Sequence, residues 1–430
     1  MRNNPQTPPT GIPRRKFLGA TGVAMAASIL PPMSSLSASN HKRSIGANDR
    51  IRIGIIGCGT RGAHSHMNPL HKYHKVENLE LVAVCDPWRV AREEAAARAK
   101  DLFGREPAVC RNYRELLELK DIDAVMIASP DHVHTLHLEA AAKTGKHAYA
   151  EKPLGIDMEG LVRAVDAVKE SGIIVQVGTQ HRSYPHLAGA AEFLKTGLLG
   201  KILRVEQVRN GGQPYWYKRI NPAVRKEDLD WDEFTNGLTD LPFDPIRYSA
   251  WYGYYEFSQG PVPQWGSHFI DVVHYLTGIS IPETCVTLGG VYMWKDEHKF
   301  TAPDQVQAIW NYPENVMVSY STTFGNQSGN GSRILADKGT LTFGKTAQAM
   351  YSAAGGVHRD GSIRGENVVP SIEITDHFQN WFQCMRTGNT PRASIDDGYR
   401  HSVATIMSAM SYETGKRTRY NPGSRTITTE

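Results

Sequence analysis

The chain has 430 residues, of which 40% are hydrophobic and 21% charged, and its formal net charge is +4. That length holds two ordinary domains with real cores, and the composition is that of a globular rather than a disordered chain. Part of the positive charge sits in Arg2, Arg14, Arg15 and Lys16; no long basic block follows, so nucleic acid is not expected as a partner.

The first element in chain order is an address. Arg14 and Arg15, a Phe-Leu pair, an apolar run to Leu30 and small residues at Ser37 and Ala38 read as a twin-arginine export signal over residues 1–38. A periplasmic or otherwise exported protein follows, with no stable membrane span after processing. Residues 39–50 are polar and aperiodic and are read as a linker, with order expected from about Arg52. Cys58, Cys85, Cys110, Cys285 and Cys384 are an odd number without a C-x-x-C pair, so neither a disulfide framework nor a zinc site is expected.

Residues 51–178 alternate between apolar runs and helical patterns. "IRIGIIG" has the β-branched enrichment of a buried parallel strand, and it enters Gly57-Cys58-Gly59-Thr60-Arg61-Gly62 directly. Glycines at this spacing allow a tight turn and a close approach of backbone to a pyrophosphate at the following helix N-terminus. "LELVAVCD" is a second strand whose terminal Asp86 has the spacing of a ribose 2′-hydroxyl contact; it would repel a 2′-phosphate, which favours NAD over NADP. "WRVAREEAAARAKDLFG" and "NYRELLEL" read as helices and "DAVMIAS" as a strand. After it, Ser129-Pro130-Asp131-His132-Val133-His134 falls at a carboxyl end of the sheet, where ligands of such folds bind. A helix then leads to the strand "HAYA", which runs into Glu151-Lys152-Pro153. The fold class is α/β, a doubly wound parallel sheet binding a dinucleotide. A lysine at a strand's carboxyl end points into the crevice, where its ammonium can stabilise alkoxide character as hydride leaves carbon.

From residue 179 the pattern changes to period two in "ILRVEQVR", "ETCVTLGGVYMW", "DQVQAIWNY", "VMVSYSTTF" and "GTLTFG". Residues 179–430 are therefore expected to form an α+β substrate domain around a large, mostly antiparallel open sheet. One face of that sheet is free to pair with another subunit, so a homo-oligomer is expected. Between the strands lie Tyr215, Trp216, Tyr217, Trp231, Tyr248, Trp251, Tyr252, Tyr254 and Tyr255 in loop-like sequence. Two readings stay open: rings stacking on sugar C–H faces, Trp251 among them, or a small core beneath a long insertion.

The glycine turn, "SPDHVH", "AAAKTGKHAYAEKPLG" and "GSHFIDVVHYLTG" together resemble the Gfo/Idh/MocA family of NAD(P)-dependent sugar and cyclitol oxidoreductases, over about residues 50 to 420. The resemblance implies a Rossmann domain and cofactor contacts from the glycine turn, Asp86, Ser129, Pro130, His132, His134, Glu151 and Lys152. It assigns the catalytic histidine of a D-x-x-x-H pattern to His268, chemically a general base for the reacting hydroxyl. This chain carries Gln264 where many relatives carry aspartate; Gln264 can orient a hydroxyl but cannot hold the charge. Asp271 and His274 lie on the same helix, with a hydrogen bond the expected role of His274. His181 and Arg182 open the second domain at the expected cleft edge and are candidates for substrate hydroxyl contacts. The groups His64, His66, His71, His74 and His132, His134, His137 are not read as a metal site, because the first follows the phosphate loop and the second belongs to the family's cofactor-proximal loop.

The leading expectation is hydride transfer between a secondary alcohol of a sugar, glycoside or cyclitol and NAD, with Lys152 polarising the oxygen and His268 moving the proton. Twin-arginine export carries folded proteins, which implies NAD loaded inside and held tightly. A second class is a redox-neutral NAD-dependent glycoside hydrolase, in which oxidation, elimination and re-reduction consume no cofactor. The third is a sugar-binding module without turnover.

Overall fold

The run Ile51–Ile56 (β1) is buried along nearly its whole length, as a central parallel strand covered on both faces must be. It is followed by Leu79–Cys85 (β2), Ala108–Cys110 (β3), Ala124–Ile127 (β4), His147–Ala150 (β5) and Val175–Val177 (β6). These six strands are all parallel, in the order β3-β2-β1-β4-β5-β6. Strand order reverses between β1 and β4, which opens a crevice beyond their carboxyl ends. The covering helices include Arg89–Phe103, His134–Lys143 and Met158–Ser171. The last shows how local sequence sets its limits: the Asp157 side chain accepts from the Gly160 N–H at 2.6 Å, and Gly172 closes the helix at a φ of 62°. The computed structural model describes residues 45–46, 49–238 and 241–430, so the expected export signal over residues 1–38 lies outside the described residues.

The second sheet contains Ile202–Val208 (β7), Thr284–Gly290 (β8), Gln305–Tyr312 (β9), Val316–Thr323 (β10), Gly331–Ala336 (β11), Thr340–Phe343 (β12), Met350–Ser352 (β13), Glu366–Val368 (β14), Thr418–Asn421 (β15) and Thr426–Thr429 (β16). Its order is β14-β13-β12-β11-β7-β10-β9-β8-β15-β16, antiparallel throughout except where β7 and β10 run parallel. Alternation decides its two faces. On β9, Val306, Ala308, Trp310 and Tyr312 are buried while Gln307, Ile309 and Asn311 are exposed. The buried face packs on the helices Ser267–Thr277 and Ile395–Thr414, and the Trp310 indole N–H donates to the Ala404 carbonyl at 2.8 Å.

Two stretches depart from the expected boundaries. Ile45, inside the expected linker, is buried with Ile51 and Met67, and the Arg386 guanidinium donates to the carbonyls of Gly46 and Asp49 at 3.0 and 2.9 Å. The helix His377–Thr387 belongs to the first domain's core rather than the second's: Trp381, Phe382 and Met385 pack with Ile51, Leu70 and Tyr149. The free edge of β6 explains this return, because Val177 N–H donates to the Ala393 carbonyl at 2.8 Å and His377 Nε2 meets the Val177 carbonyl at 3.1 Å. All five cysteines are free and buried.

Candidate active site and its dinucleotide crevice

A crevice of about 810 Å³ lies at the switch point between β1 and β4. Its floor is backbone. Gly57 turns at a φ of +95°, and a Cβ there would meet the Ala128 carbonyl at 2.6 Å. A Cβ on Gly62 would lie 1.9 Å from the Gly57 oxygen, so the following helix can approach the strand only without one. At Gly59 a Cβ would meet nothing within 4 Å; it would project into open space along the crevice. That is the cradle a pyrophosphate needs, and the residues present fit an NAD. Asp86 closes the turn, accepting from the N–H of Cys58 at 2.7 Å and of Trp88 at 2.8 Å. The first turn after the glycines is π-helical, Arg61–His66, before the α-helix Met67–Tyr73.

The crevice also has a roof, which the sequence did not announce. Lys218, Arg219, Tyr248, Trp251 and Tyr252 from the aromatic insertion line the same space as the glycine turn. The insertion is tied across it by Arg219 Nη1 donating to Thr60 Oγ1 at 2.9 Å, and by Arg89 to Asp228 and Arg111 to Asp230, each at 2.7 Å. Arg114 pairs with Glu233, and the Asp230 N–H donates to the Pro87 carbonyl at 3.1 Å. The small-core reading holds for part of the aromatic set. Trp216, Phe234, Tyr254 and Phe257 form the insertion's own core with Phe300 and Phe324, whereas Tyr248, Trp251 and Tyr252 face the crevice.

Beyond the end of β5, Lys152 is buried and its Nζ donates to the Gln264 carbonyl oxygen at 2.7 Å. The Lys152–Pro153 peptide bond is cis. Gln264 turns its side-chain amide to the carboxylate of Asp131, a residue the sequence reading passed over. Its only signal was its place in "SPDHVH" after β4. Burial lowers Lys152 from the usual lysine range to about 8, against the opposing pull of Asp131 and Glu151. Burial acts on Glu151 in the other direction, but Arg61 at 3.7 Å and His66 at 3.0 Å hold it down to about 2. His268 stacks on His181 with ring centroids 4.5 Å apart. Desolvation, then the nearby His181 and Lys152, keep His268 well below the ordinary imidazole range and therefore neutral. Its Nδ1 has no partner among the described residues. A neutral imidazole and a lysine at one site can accept a proton and hold an oxyanion.

Other expected site residues fall elsewhere. Ser129 and Pro130 line the crevice, but His132 and His134 do not present their rings to it. His132 Nε2 meets the Phe234 carbonyl at 2.8 Å, and His134 lies between the carbonyls of Ser129 and Pro153 at 2.7 Å each. Buried rings take the backbone acceptors nearest them; His137, bonded to Ser129 Oγ at 2.9 Å, lines the crevice instead. Arg182 is 6% exposed and its guanidinium is spent on Asp271 at 2.8 Å and Asp397 at 3.2 Å, which leaves it anchoring the turn that carries His181. Trp251 borders the dinucleotide crevice rather than the Lys152 cluster. Asp271 is fully buried with Arg182, and His274 Nε2 meets Tyr312 Oη at 2.9 Å.

Residues 51–179 match the "Oxidoreductase family, NAD-binding Rossmann fold", and residues 235–342 match the "GFO/IDH/MocA C-terminal domain". The scyllo-inositol 2-dehydrogenase (NAD(+)) of Bacillus subtilis is 33% identical over 381 residues, covering 85% of this chain and 95% of that protein. A glycosyl hydrolase family 109 protein of a Shewanella species is 30% identical over 179 residues, 37% of this chain and 38% of that protein. An inositol 2-dehydrogenase of Saccharopolyspora erythraea is 32% identical over 170 residues; the chain spans about half the length of that relative, 48%. A levoglucosan dehydrogenase in complex with NADH and levoglucosan has the same fold, with a TM-score of 0.65 at 20% identity, covering 86% of this chain and 99% of that one. The chain belongs to the Gfo/Idh/MocA oxidoreductase family, with an NAD-binding Rossmann domain.

Proposed function

We propose that this protein is an exported NAD-dependent oxidoreductase acting on a secondary hydroxyl of a sugar, glycoside or cyclitol, with its cofactor held through turnover. The observation that carries the reading is that Arg61, which lines the roofed crevice, pairs with Glu151 beside Lys152, whose charge in turn reaches His268. Gly57, Gly59, Thr60, Arg61, Gly62 and Asp86 would hold the NAD, with Ser129, Pro130 and Glu151 flanking it. Bound NAD supplies the hydride acceptor or donor. The chain does the rest. The Lys152 ammonium hydrogen-bonds the reacting oxygen and stabilises its developing negative charge, while neutral His268 accepts the hydroxyl proton as C–H gives up hydride. In the reverse direction His268 returns the proton. His181 and Gln264 border the substrate position.

The roof, tied across the crevice through Arg219, Asp228, Asp230 and Glu233, favours retention of NAD. Retention suits export by the twin-arginine route, for which Arg14 and Arg15 speak. It also favours a second reading, a redox-neutral glycosidase that returns the hydride to its own product. One purification decides. Mature protein isolated without added cofactor carries stoichiometric nicotinamide, and is then offered cyclitols, free sugars and aryl glycosides. Net reduction of added NAD or another acceptor supports the dehydrogenase; glycoside cleavage without net NADH supports the second reading; absence of nicotinamide binding refutes both.

The second sheet's outer face supports a homo-oligomer. Leu203, Val286, Leu288, Ile309 and Met317 leave 37–72% of their surface exposed there. Light scattering of wild type and Leu288→Lys tests it: a monomeric wild type refutes it.

A further inference from the structure

Lysine at the end of β5 is usable as an oxygen-polarising group only in its charged form, and the structure buries it. Something must offset that burial. Glu151 is adjacent in sequence but already committed: His66 Nε2 lies 3.0 Å and Arg61 Nε 3.7 Å from its Oε1. On the opposite side stands Asp131, 3% exposed, in the turn that follows β4. Its carboxylate takes the Gln264 side-chain amide, and the backbone carbonyl of that same Gln264 takes the Lys152 ammonium at 2.7 Å. One glutamine thus ties the acid to the lysine from its two polar ends.

We propose that Asp131 is a positioning residue for Lys152: through Gln264 it fixes where the ammonium sits, and it supplies the negative charge that keeps the ammonium form. This rests on the proposed role of Lys152 in hydride transfer. The charges facing Lys152 come from four elements: Asp131 after β4, Glu151 on its own strand end, Arg61 in the first turn after the glycines, and Arg209 after β7. Two of these, Arg61 and Arg209, are cations that oppose the charged lysine. With Glu151 already paired to Arg61 and hydrogen-bonded by His66, Asp131 exerts the largest pull towards the ammonium form. Burial pushes the Asp131 carboxyl well above the usual carboxylate range and Lys152 draws it back down, so each of the two holds the other's charge. Across the site His268 and His181 both feel the Lys152 charge, so its protonation also bears on the base. Asp131 therefore performs from a separate loop what Gln264 lacks the charge to do.

The test is competitive acetylation of Lys152 across pH, read at the peptide level by mass spectrometry, in protein without substrate. Asp131→Asn keeps the shape and removes the charge. Its Lys152 midpoint falls by about one pH unit or more, and the alkaline limb of kcat moves down with it. Asp131→Glu restores both towards wild type. Gln264→Met leaves the charge and frees the carboxylate, so the midpoint stays at or above wild type; this reads the proposal even where Asp131→Asn does not fold. An unchanged midpoint in Asp131→Asn, an equal fall in Asp131→Glu, or a fall in Gln264→Met overturns it. The acetylation readout needs no turnover. A wild type with a responsive Lys152 but no nicotinamide-dependent activity therefore refutes the proposed function while leaving the charge relation standing.

Discussion

The floor and the roof of the dinucleotide crevice are made of different materials. The floor is backbone: a strand, three glycines and a helix start, all within Ile51–His66. The roof is side chains, and its ties join residues far apart, Arg89 to Asp228 across 139 positions, Arg111 to Asp230 across 119 and Arg219 to Thr60 across 159. A floor of this kind tolerates no added atom where backbones touch. A roof of this kind is many weak, separable contacts, so it can open.

The largest effect is expected at the reacting side chain beyond the end of β5, outside both floor and roof. Lys152→Ala lowers kcat by about 10²–10⁴-fold while leaving bound nicotinamide in place; undiminished turnover removes Lys152 from the chemistry. Next come the glycines, which separate folding from binding. Gly62→Ala forces a Cβ to 1.9 Å from the Gly57 oxygen and costs about 1–3 kcal/mol or more in urea unfolding. Gly59→Ala meets nothing within 4 Å, so it unfolds like wild type but binds NAD more weakly by calorimetry. Equal unfolding midpoints for the two variants break the distinction.

Acid tests the joint between floor and roof. Burial first of all keeps His132 neutral, lowering it to about 4, although its bond to the Phe234 carbonyl in the roof pulls the other way. Above pH ~6.5 the ring is neutral both folded and unfolded, and it costs nothing. As pH falls from there towards 4 the unfolded chain takes up a proton that the folded chain refuses, so stability drops, by roughly 2 kcal/mol for this ring by pH ~4.5. His377 is lowered to about 4 by the same burial and adds to the drop. His132→Gln flattens the slope of urea-unfolding free energy against pH between these limits; an identical slope contradicts it. The smallest effect belongs to one roof tie. Arg111 is 61% exposed in its side chain, so Arg111→Ala changes stability by no more than ~1 kcal/mol and speeds NAD release only a few-fold in stopped-flow displacement.

The legible parts of this protein are those encoded by neighbours in sequence. The period-two strands, the helix Ser267–Thr277 and the turn from β1 into Gly57 each rest on residues within a few positions of one another. The positions of Gly57, Asp86 and Lys152 in the fold were legible because they sit at the ends of such elements. Reading failed where a side chain had a choice of partner. His132 and Arg182 looked like ligands because they are polar and near the cleft, yet burial obliged one to take a carbonyl and the other two carboxylates. Asp131 was missed for the converse reason, since nothing local distinguishes an acid in a turn from a solvated one. That the helix His377–Thr387, inside the range 179–430 expected for the second domain, packs on the first domain's core was not legible, because helical amphipathicity states that a face is buried, not against what.

By itself the sequence determined an NAD-type strand and glycine turn, a second sheet and a lysine at a strand end. It could do so because strand alternation, glycine's missing Cβ and helix capping act over a few residues. The roof over the crevice, the pairing of Asp131 with Lys152 through Gln264, and the return of the helix His377–Thr387 to the first domain's core were decided by tertiary structure alone. Each depends on which buried charge or open strand edge finds a partner more than a hundred residues away. Electrostatic and packing partners at that distance are set by the closed fold, and no local pattern in the chain specifies them.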